Sequence, residues 1–299
     1  MYAGACAAER VCVPTKGRSN ALFSSTSKGA PPRAQSMTKT ILITGAGSGI
    51  GHDAAFALAQ RGHRVLASTQ TQDQAQALRA EASARGVALE VCKLDITDAA
   101  DRAQVLDWPV DVLINNAGMG ESGSLAEVDM ARIRQVFEVN VFGTLALTQL
   151  ALRGMIERRK GTVLFVSSIA GRLPMPFLMP YSMTKFALSA AAAGLREEMD
   201  QLGKGVQVAV IEPGAIHTGF NQQMTERKYA WMDEKSYFYG QAEAMKAKEK
   251  RTFAFLEARS TRSIVAKIVE ASEATRPRLR YVAPWAQGVM VRLARIFGV

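Results

Sequence analysis

Cysteine is scarce in this chain. The 299 residues hold three, Cys6, Cys12 and Cys92, with no Cys-x-x-Cys pair, and only three histidines. That excludes a disulfide-stapled scaffold and a zinc ribbon, and no metal site is expected. It also points to a reducing compartment, read here as the cytoplasm. No run of about 18 apolar residues occurs, so no transmembrane helix is expected. Acidic residues are in deficit, 27 against 37 basic ones, for a net charge of +10. Apolar residues make up 48% and charged residues 21%, which excludes collagen-like, low-complexity and wholly disordered chains.

The excess charge is terminal. Residues 1–36 carry five basic side chains and one acidic, residues 37–220 carry 17 and 18, and residues 221–299 carry 15 and 8. No nucleic-acid reading module accompanies this charge, so nucleic acid is not an expected partner. A basic C-terminal third suits an acidic partner or an anionic surface, though a solvated basic surface is the plainest reading. Residues 1–37 read as a disordered extension, rich in Ser, Ala, Gly and Pro and without apolar period. They lack the apolar core of a secretory signal and loosely resemble an organelle transit peptide. A non-native leader or an over-long start assignment is preferred, because Met37-Thr38-Lys39 leads straight into a strand.

From residue 38 the pattern alternates. Thr40–Thr44 is a β-branched apolar strand, followed by Gly45-Ala46-Gly47-Ser48-Gly49-Ile50-Gly51 and a helical period stopped at Gly62. Glycines let the backbone approach a pyrophosphate, and a helix N-terminus faces its charge. Further strands are expected at Arg64–Ser68, Val87–Leu94, Val110–Asn115, Thr162–Ser167 and Val206–Ile211. Helices are expected at Gln72–Ala84, Asp98–Val105, Met130–Arg158 and Tyr181–Leu202. Six strands separated by helices, extended by later ones, imply an α/β fold. It is a doubly wound Rossmann-type parallel sheet of about seven strands with helices on both faces. Residues 38–299 then form a single domain with a substrate-loop insertion at 214–262.

Certain residues stand out chemically. Tyr181 and Lys185 are spaced i, i+4 and share a helix face. A neighbouring ammonium lowers a phenol's pKa and makes it a usable acid or base, although such pairs also occur by chance on surfaces. Ser167-Ser168 ends a strand, where open α/β sheets bind ligands, and a hydroxyl there can hold a carbonyl oxygen. The bland reading of either serine is a helix cap. Asn140, inside a long helix, invites a reason: a held water linking Lys185 to solvent, or a bond to a buried carbonyl.

Together these residues resemble the short-chain dehydrogenase/reductase family over roughly residues 38–283. The resemblance rests on Thr44-Gly45-x-x-x-Gly49-Ile50-Gly51, Asp95, Asn115-Asn116-Ala117-Gly118, Asn140, Ser168, Tyr181-x-x-x-Lys185 and Pro213-Gly214-x-x-x-Thr218, in the family's order and spacing. It implies that Tyr181 is the catalytic acid/base and that Lys185 lowers its pKa and binds the nicotinamide ribose. It implies that Ser168 orients the carbonyl and that Asn140 supports a proton-relay water. Gly45, Ser48, Gly49, Ile50 and Gly51 would hold the pyrophosphate, with Thr218 beside it. Asp95 and Ile96 would meet the adenine, and Asn116, Ala117 and Gly118 the adenosine ribose side. Pro213, Gly214 and Ile216 would cradle the nicotinamide.

The second strand ends in Ser68-Thr69-Gln70, where an NAD site carries an acid for the ribose hydroxyls. With no acid there, NADP(H) is favoured and NAD(H) stays open; Thr69 and Gln70 would offer neutral hydrogen bonds to a 2′-phosphate. Met175 and Phe177 are substrate candidates beside Ser168 and Tyr181. Residues 220–255 hold 8 of the 21 aromatics, which suits a greasy lid or a satellite core about equally. His217 falls in the cofactor turn and reads as structural.

Met175–Phe177 and Glu212–Phe220 look most like the 17β-hydroxysteroid dehydrogenase and retinol dehydrogenase branch. That implies hydride transfer between the cofactor and the carbonyl or secondary alcohol of an apolar steroid-, retinoid- or lipid-like substrate. A 3-oxoacyl carrier-protein reductase is the rival enzyme, and a non-catalytic dinucleotide-sensing regulator the rival from another class. A homo-oligomer, dimer or tetramer, is expected. Trp285–Phe297 is amphipathic and basic, as membrane-surface helices are; docking on the body or on a second subunit is preferred to peripheral membrane contact.

Overall fold

The computed structural model describes residues 38–298, so the expected extension at 1–37 lies outside the described residues. In chain order the described residues form β1 (Thr40–Ile43), α1 (Gly49–Gln60), β2 (Arg64–Thr69), α2 (Gln72–Ala84), β3 (Glu90–Lys93), α3 (Ala99–Ala103) and β4 (Val112–Asn115). Then come α4 (Met130–Phe137), α5 (Thr144–Glu157), β5 (Gly161–Val166), α6 (Met179–Leu202) and β6 (Val206–Pro213). The chain continues with α7 (Phe220–Trp231), α8 (Ala242–Leu256), α9 (Arg262–Glu273), β7 (Arg280–Ala283) and α10 (Trp285–Ile296).

All seven strands join one parallel sheet in the order β3-β2-β1-β4-β5-β6-β7. The order reverses between β1 and β4, which opens a crevice beyond their carboxyl ends, the general ligand position of such sheets. Side chains alternate across the sheet. Ile41 and Ile43 join Ala54, Leu58, Ile264 and Ile268 on the face covered by α1 and α9. Leu42, Leu113 and Phe165 meet Leu147, Met155 and Leu188 on the face covered by α5 and α6. Strands buried on both faces must be apolar throughout, which is why β1 and β4 read as continuous apolar runs.

Differences from the expected spans have local causes. β3 is shorter than Val87–Leu94 because it is an edge strand with β2 as its one partner. The helix expected at Met130–Arg158 is α4 and α5 joined by a π-helical turn at Glu138–Gly143, which contains Asn140. As a continuous helical stretch, Met130–Glu157 is long and apolar enough to cross a membrane by length and composition, which strictly apolar runs did not reveal. Half of its most apolar 18-residue window is buried inside the protein, and Leu147, Ala151, Leu152 and Met155 belong to the core. α6 begins two residues earlier than expected, with Pro180 in its first turn, where a missing N–H costs nothing.

Candidate active site

A cavity of about 820 Å³ lies over the carboxyl ends of the strands. Every residue expected to touch cofactor or substrate lines it, from Gly45 and Ser48 at one end to Met175, Phe177 and Tyr181 at the other. Asn140 stands behind the wall.

The phosphate end is built on the turn from β1 to α1. Gly45 has φ +67°, and a Cβ there would lie 2.8 Å from the Ala117 backbone, so only glycine fits without displacing the β4 loop. Asn116, expected near the ribose, is a strut: its Nδ2 donates to the carbonyls of Thr44 at 2.9 Å and Gly45 at 3.1 Å. Ser48 precedes α1 in an extended conformation and makes no side-chain cap, so the helix's first N–H groups stay available to an anion. Thr218 comes down over this end, 3.4 Å from where a Cβ on Gly49 would sit. A tight cradle that added side chains would fill, open to the cavity and with free N–H groups at its base, fits a dinucleotide pyrophosphate.

At the end of β2, Thr69 is buried and its hydroxyl donates to the Thr71 carbonyl at 3.0 Å. Gln70 donates from Nε2 to Asp95 Oδ2 at 3.2 Å. Both neutral donors expected to meet a 2′-phosphate therefore already have acceptors within the chain. Burial opposes ionisation of Asp95. Hydrogen bonds from the Thr97 backbone and hydroxyl and from Gln70, with Lys93 nearby, outweigh it and hold the carboxyl below its ordinary range.

The reactive groups sit at the start of α6. Ser168 follows β5 in extended backbone; its Oγ accepts from the Ala170 N–H at 3.1 Å and donates to the Pro213 carbonyl at 3.4 Å. Tyr181 and Ser168 line the same cavity. Burial pushes the Tyr181 phenol well above its ordinary value, with the Ser168 hydroxyl opposing. Lys185 Nζ lies 5.5 Å from the centre of the Tyr181 ring and donates to the Val166 carbonyl at 2.9 Å. Burial pushes its ammonium down to about 8. The expected lowering of the phenol by the lysine is therefore absent from the chain alone: desolvation governs both groups.

Asn140 is fully buried. Its Nδ2 donates to the Met119 carbonyl at 2.9 Å and to Thr184 Oγ1 at 3.0 Å, and its Oδ1 accepts from the Met119 N–H at 2.8 Å. The side chain is spent on protein partners, which matches the buried-carbonyl reading. The widened π-helical turn lets it reach them.

Substrate-side walls come from two segments. Tyr181, Ala170 and Met224 form a small apolar cluster with Met175, Leu178 and Phe220 packed on it. Phe177 adopts φ +62° and stacks edge-on against Phe238 at 5.0 Å. The aromatics of 220–255 divide between both expected roles: Phe220 and Phe253 line the cavity, while Tyr237, Tyr239 and Phe255 are exposed. His217 lies outside the cavity wall and pairs with Glu257 at 2.9 Å, as its structural reading expects.

Gln287 was not anticipated. From α10 it accepts the Ala215 N–H at 2.8 Å and donates to the Leu256 carbonyl at 2.9 Å, so it clamps the loop after β6 to the end of α8. A lone Gln 74 residues after Pro213 carries no local signal. Met224 and Phe220 were foreshadowed only by the aromatic and apolar enrichment of their segment.

A parallel sheet with a glycine-rich turn at its switch point, and Ser, Tyr and Lys across the cavity, defines a dinucleotide-binding α/β protein. The short chain dehydrogenase family matches residues 39–229. An uncharacterized oxidoreductase of Escherichia coli, YbbO, is 30% identical over 86% of this chain and 91% of its own length. Human retinol dehydrogenase 8 is 31% identical over 81% of this chain and 80% of its own. The solved structure of a short-chain dehydrogenase from Streptomyces avermitilis superposes with a TM-score of 0.69 at 27% identity, covering 87% of this chain and 94% of that one. The chain belongs to the short-chain dehydrogenase family, and it is an NAD(P)-dependent oxidoreductase.

Proposed function

We propose that this enzyme moves a hydride between NADP(H) and the carbonyl or secondary alcohol of an apolar steroid-, retinoid- or lipid-like substrate. One observation carries the reading: the hydroxyls of Ser168 and Tyr181 line one cavity walled by Met175, Phe177, Phe220 and Met224. Such a wall rewards apolar surface, at roughly 25 cal/mol per Å² removed from water. The 31% identical human relative bears the name of a retinol dehydrogenase, an enzyme of an apolar alcohol.

Gly45, Ser48, Gly49, Ile50, Gly51 and Thr218 would hold the pyrophosphate. Asp95 and Ile96 would flank the adenine, with Asn116, Ala117 and Gly118 beside its ribose. Lys185 would bind the other ribose, and Pro213, Gly214 and Ile216 would border the nicotinamide, which when bound supplies or accepts the hydride. In reduction Tyr181 Oη gives its proton to the carbonyl oxygen, and in oxidation it takes that proton back. Ser168 Oγ exchanges its long bond to Pro213 for one to the same oxygen and stabilises developing charge there. A buried phenolate needs a cation. Lys185, protonated below pH about 8, supplies it as its ammonium turns towards newly arrived acceptors. Asn140 holds the Met119 loop and, through Thr184, the first turns of α6, and so positions Tyr181.

The absence of a carboxylate at Thr69 and Gln70 supports NADP(H), since nothing there repels a 2′-phosphate. Phe142, Phe186 and Leu202 are large apolar side chains left exposed, which supports self-association as a dimer or tetramer. The test is a fluorescence titration with NADPH and NADH, followed by turnover of steroid, retinoid and long-chain ketones against small polar ones. Faster turnover of the small polar ketones would overturn the substrate reading, and stronger NADH binding the cofactor reading.

A further inference from the structure

Helix α10 lies in the molecule inside out. An amphipathic helix on a soluble body turns its apolar stripe inward. Here Gly288 and Val291 are buried, while Trp285 is 77% exposed, Ile296 74% and Phe297 78%, with Val289 and Leu293 on the same exposed side. At 3.6 residues per turn these five side chains fall within one outward face. Phe255, at the end of α8, is a further outward apolar side chain, 88% exposed, and Gln287 ties the carbonyl of its neighbour Leu256 to α10. Helix α10 docks on the body as expected, through Gly288 against Val282, through Val291 and through the Gln287 clamp, and this docking leaves the apolar stripe facing outward.

Charge selects the occupant. Residues 274–299 contain five arginines and no acidic residue. Arg292 and Arg295 flank the stripe, are exposed, and take part in none of the ion pairs among the described residues. Two copies meeting through this face would bring arginine rows together with no carboxylate of the helix between them. An anionic lipid surface meets both halves of the pattern: headgroups for the arginines, acyl chains for the stripe. The face also reaches the active site. Met290, on the rim of the stripe, lines the same cavity as Tyr181 and Ser168, as does Leu256 beside Phe255.

We infer that α10 and the end of α8 form a membrane-docking face that seats the mouth of the active-site cavity on an anionic bilayer. The docking stands on exposure and charge alone. The route it offers, by which substrate dissolved in lipid enters without crossing water, rests on the apolar-substrate reading above.

The experiment is flotation of the full chain with phosphatidylcholine vesicles, with and without phosphatidylglycerol. The chain floats with the anionic vesicles and is released by salt. Leu293→Glu with Ile296→Glu abolishes flotation while NADPH titration stays normal. Arg292→Gln with Arg295→Gln weakens it roughly thirty-fold, at about one kcal/mol per basic residue and 1.4 kcal/mol per factor of ten. This second pair tests the inference even if the glutamates impair folding. Brominated lipid quenches tryptophan emission, and Trp285→Phe removes the quenching. Absence of flotation overturns the inference. So does a glutamate variant that falls to a smaller oligomer when the parent never floats, which would make the face a subunit interface. Neither result bears on the choice of ketone, which the turnover panel decides separately.

Discussion

The two ends of the cavity are built by different means. The cofactor end is mostly backbone: a glycine turn, held to the β4 loop by the Asn116 side chain at 2.9 and 3.1 Å, and the open N-terminus of α1. The substrate end is side chains: Met175, Phe177, Phe220 and Met224 on an irregular segment and on α7, held by apolar contact. Backbone geometry tolerates few residue types, while an apolar wall tolerates many of similar size. A family can therefore keep one end and vary the other. Substitutions at the two ends should differ in kind, the first altering which cofactor binds and the second which ketone.

The largest effect is expected where the ends meet. Tyr181→Phe should cut kcat by about 10²–10⁴-fold, the usual scale for a general acid, and leave the dissociation constant for NADPH unchanged. Stopped-flow turnover with a parallel fluorescence titration checks both. Ser168→Ala should follow, with a loss in kcat of roughly 10²–10³-fold. Its KM should change less than its kcat, since the hydroxyl works hardest on developing charge.

Cofactor choice tests the backbone end alone. Thr69→Asp should move preference towards NADH by about tenfold or more: its carboxylate accepts from ribose hydroxyls and repels a 2′-phosphate, and each 1.4 kcal/mol is tenfold. Gln70→Arg should strengthen NADPH through a charge-assisted bond. It also frees Asp95 from its partner, so part of the new cation's charge will be drawn to that carboxylate. An unchanged ratio in both variants would show that the cofactor is read elsewhere.

Lys185 makes a prediction in pH. Its folded pKa, about 8, lies below the ordinary lysine value, so between the two the unfolded chain binds more protons. Stability from this group therefore rises as pH climbs from about 8 towards 10.5. Cofactor binding has the opposite sign. If ribose hydroxyls and pyrophosphate favour the ammonium, binding takes up a proton, and NADPH affinity falls above pH 8 by at most about tenfold per unit. Titrations at several pH values check this, and Lys185→Met should flatten the profile.

How much of this was legible in the sequence follows the same division. The turn Gly45–Gly51, the acid-free end of β2 and the Tyr181–Lys185 pair are short-range patterns, and all of them line one cavity. The fold was legible because strands buried on both faces must be apolar and the helices between them must be amphipathic. The π-helical turn around Asn140 was not, because one extra residue in a helix leaves no compositional mark. The outward face of α10 was not either: periodicity reveals that a stripe exists, and only the packing of Gly288 and Val291 reveals which way it points. Nor could spacing show that burial, not the Lys185 charge, governs the Tyr181 phenol in the chain alone.

Gln287 offers the smallest effect and the sharpest distinction, because it touches both ends. Its Oε1 holds the Ala215 N–H of the loop expected to border the nicotinamide, and its Nε2 holds the Leu256 carbonyl at the end of α8. Each neutral hydrogen bond contributes about 1 kcal/mol, and losing one partner strands the other in a partly buried place. Gln287→Ala should therefore loosen the loop and α8 together. The expected outcome is a rise in KM for NADPH of roughly five- to tenfold, from about 1–1.4 kcal/mol lost, with a smaller rise in KM for an apolar ketone. Turnover at saturation should change little, because Tyr181 and Ser168 rest on β5 and α6, which Gln287 does not touch. Gln287→Glu separates the two bonds. Its carboxylate can still accept from Ala215 but has no N–H for Leu256, so the cofactor KM should recover while the ketone KM does not. If both constants move together in both variants, the loop and α8 are one mechanical unit, and the division between a backbone-built end and a side-chain-built end fails at this residue.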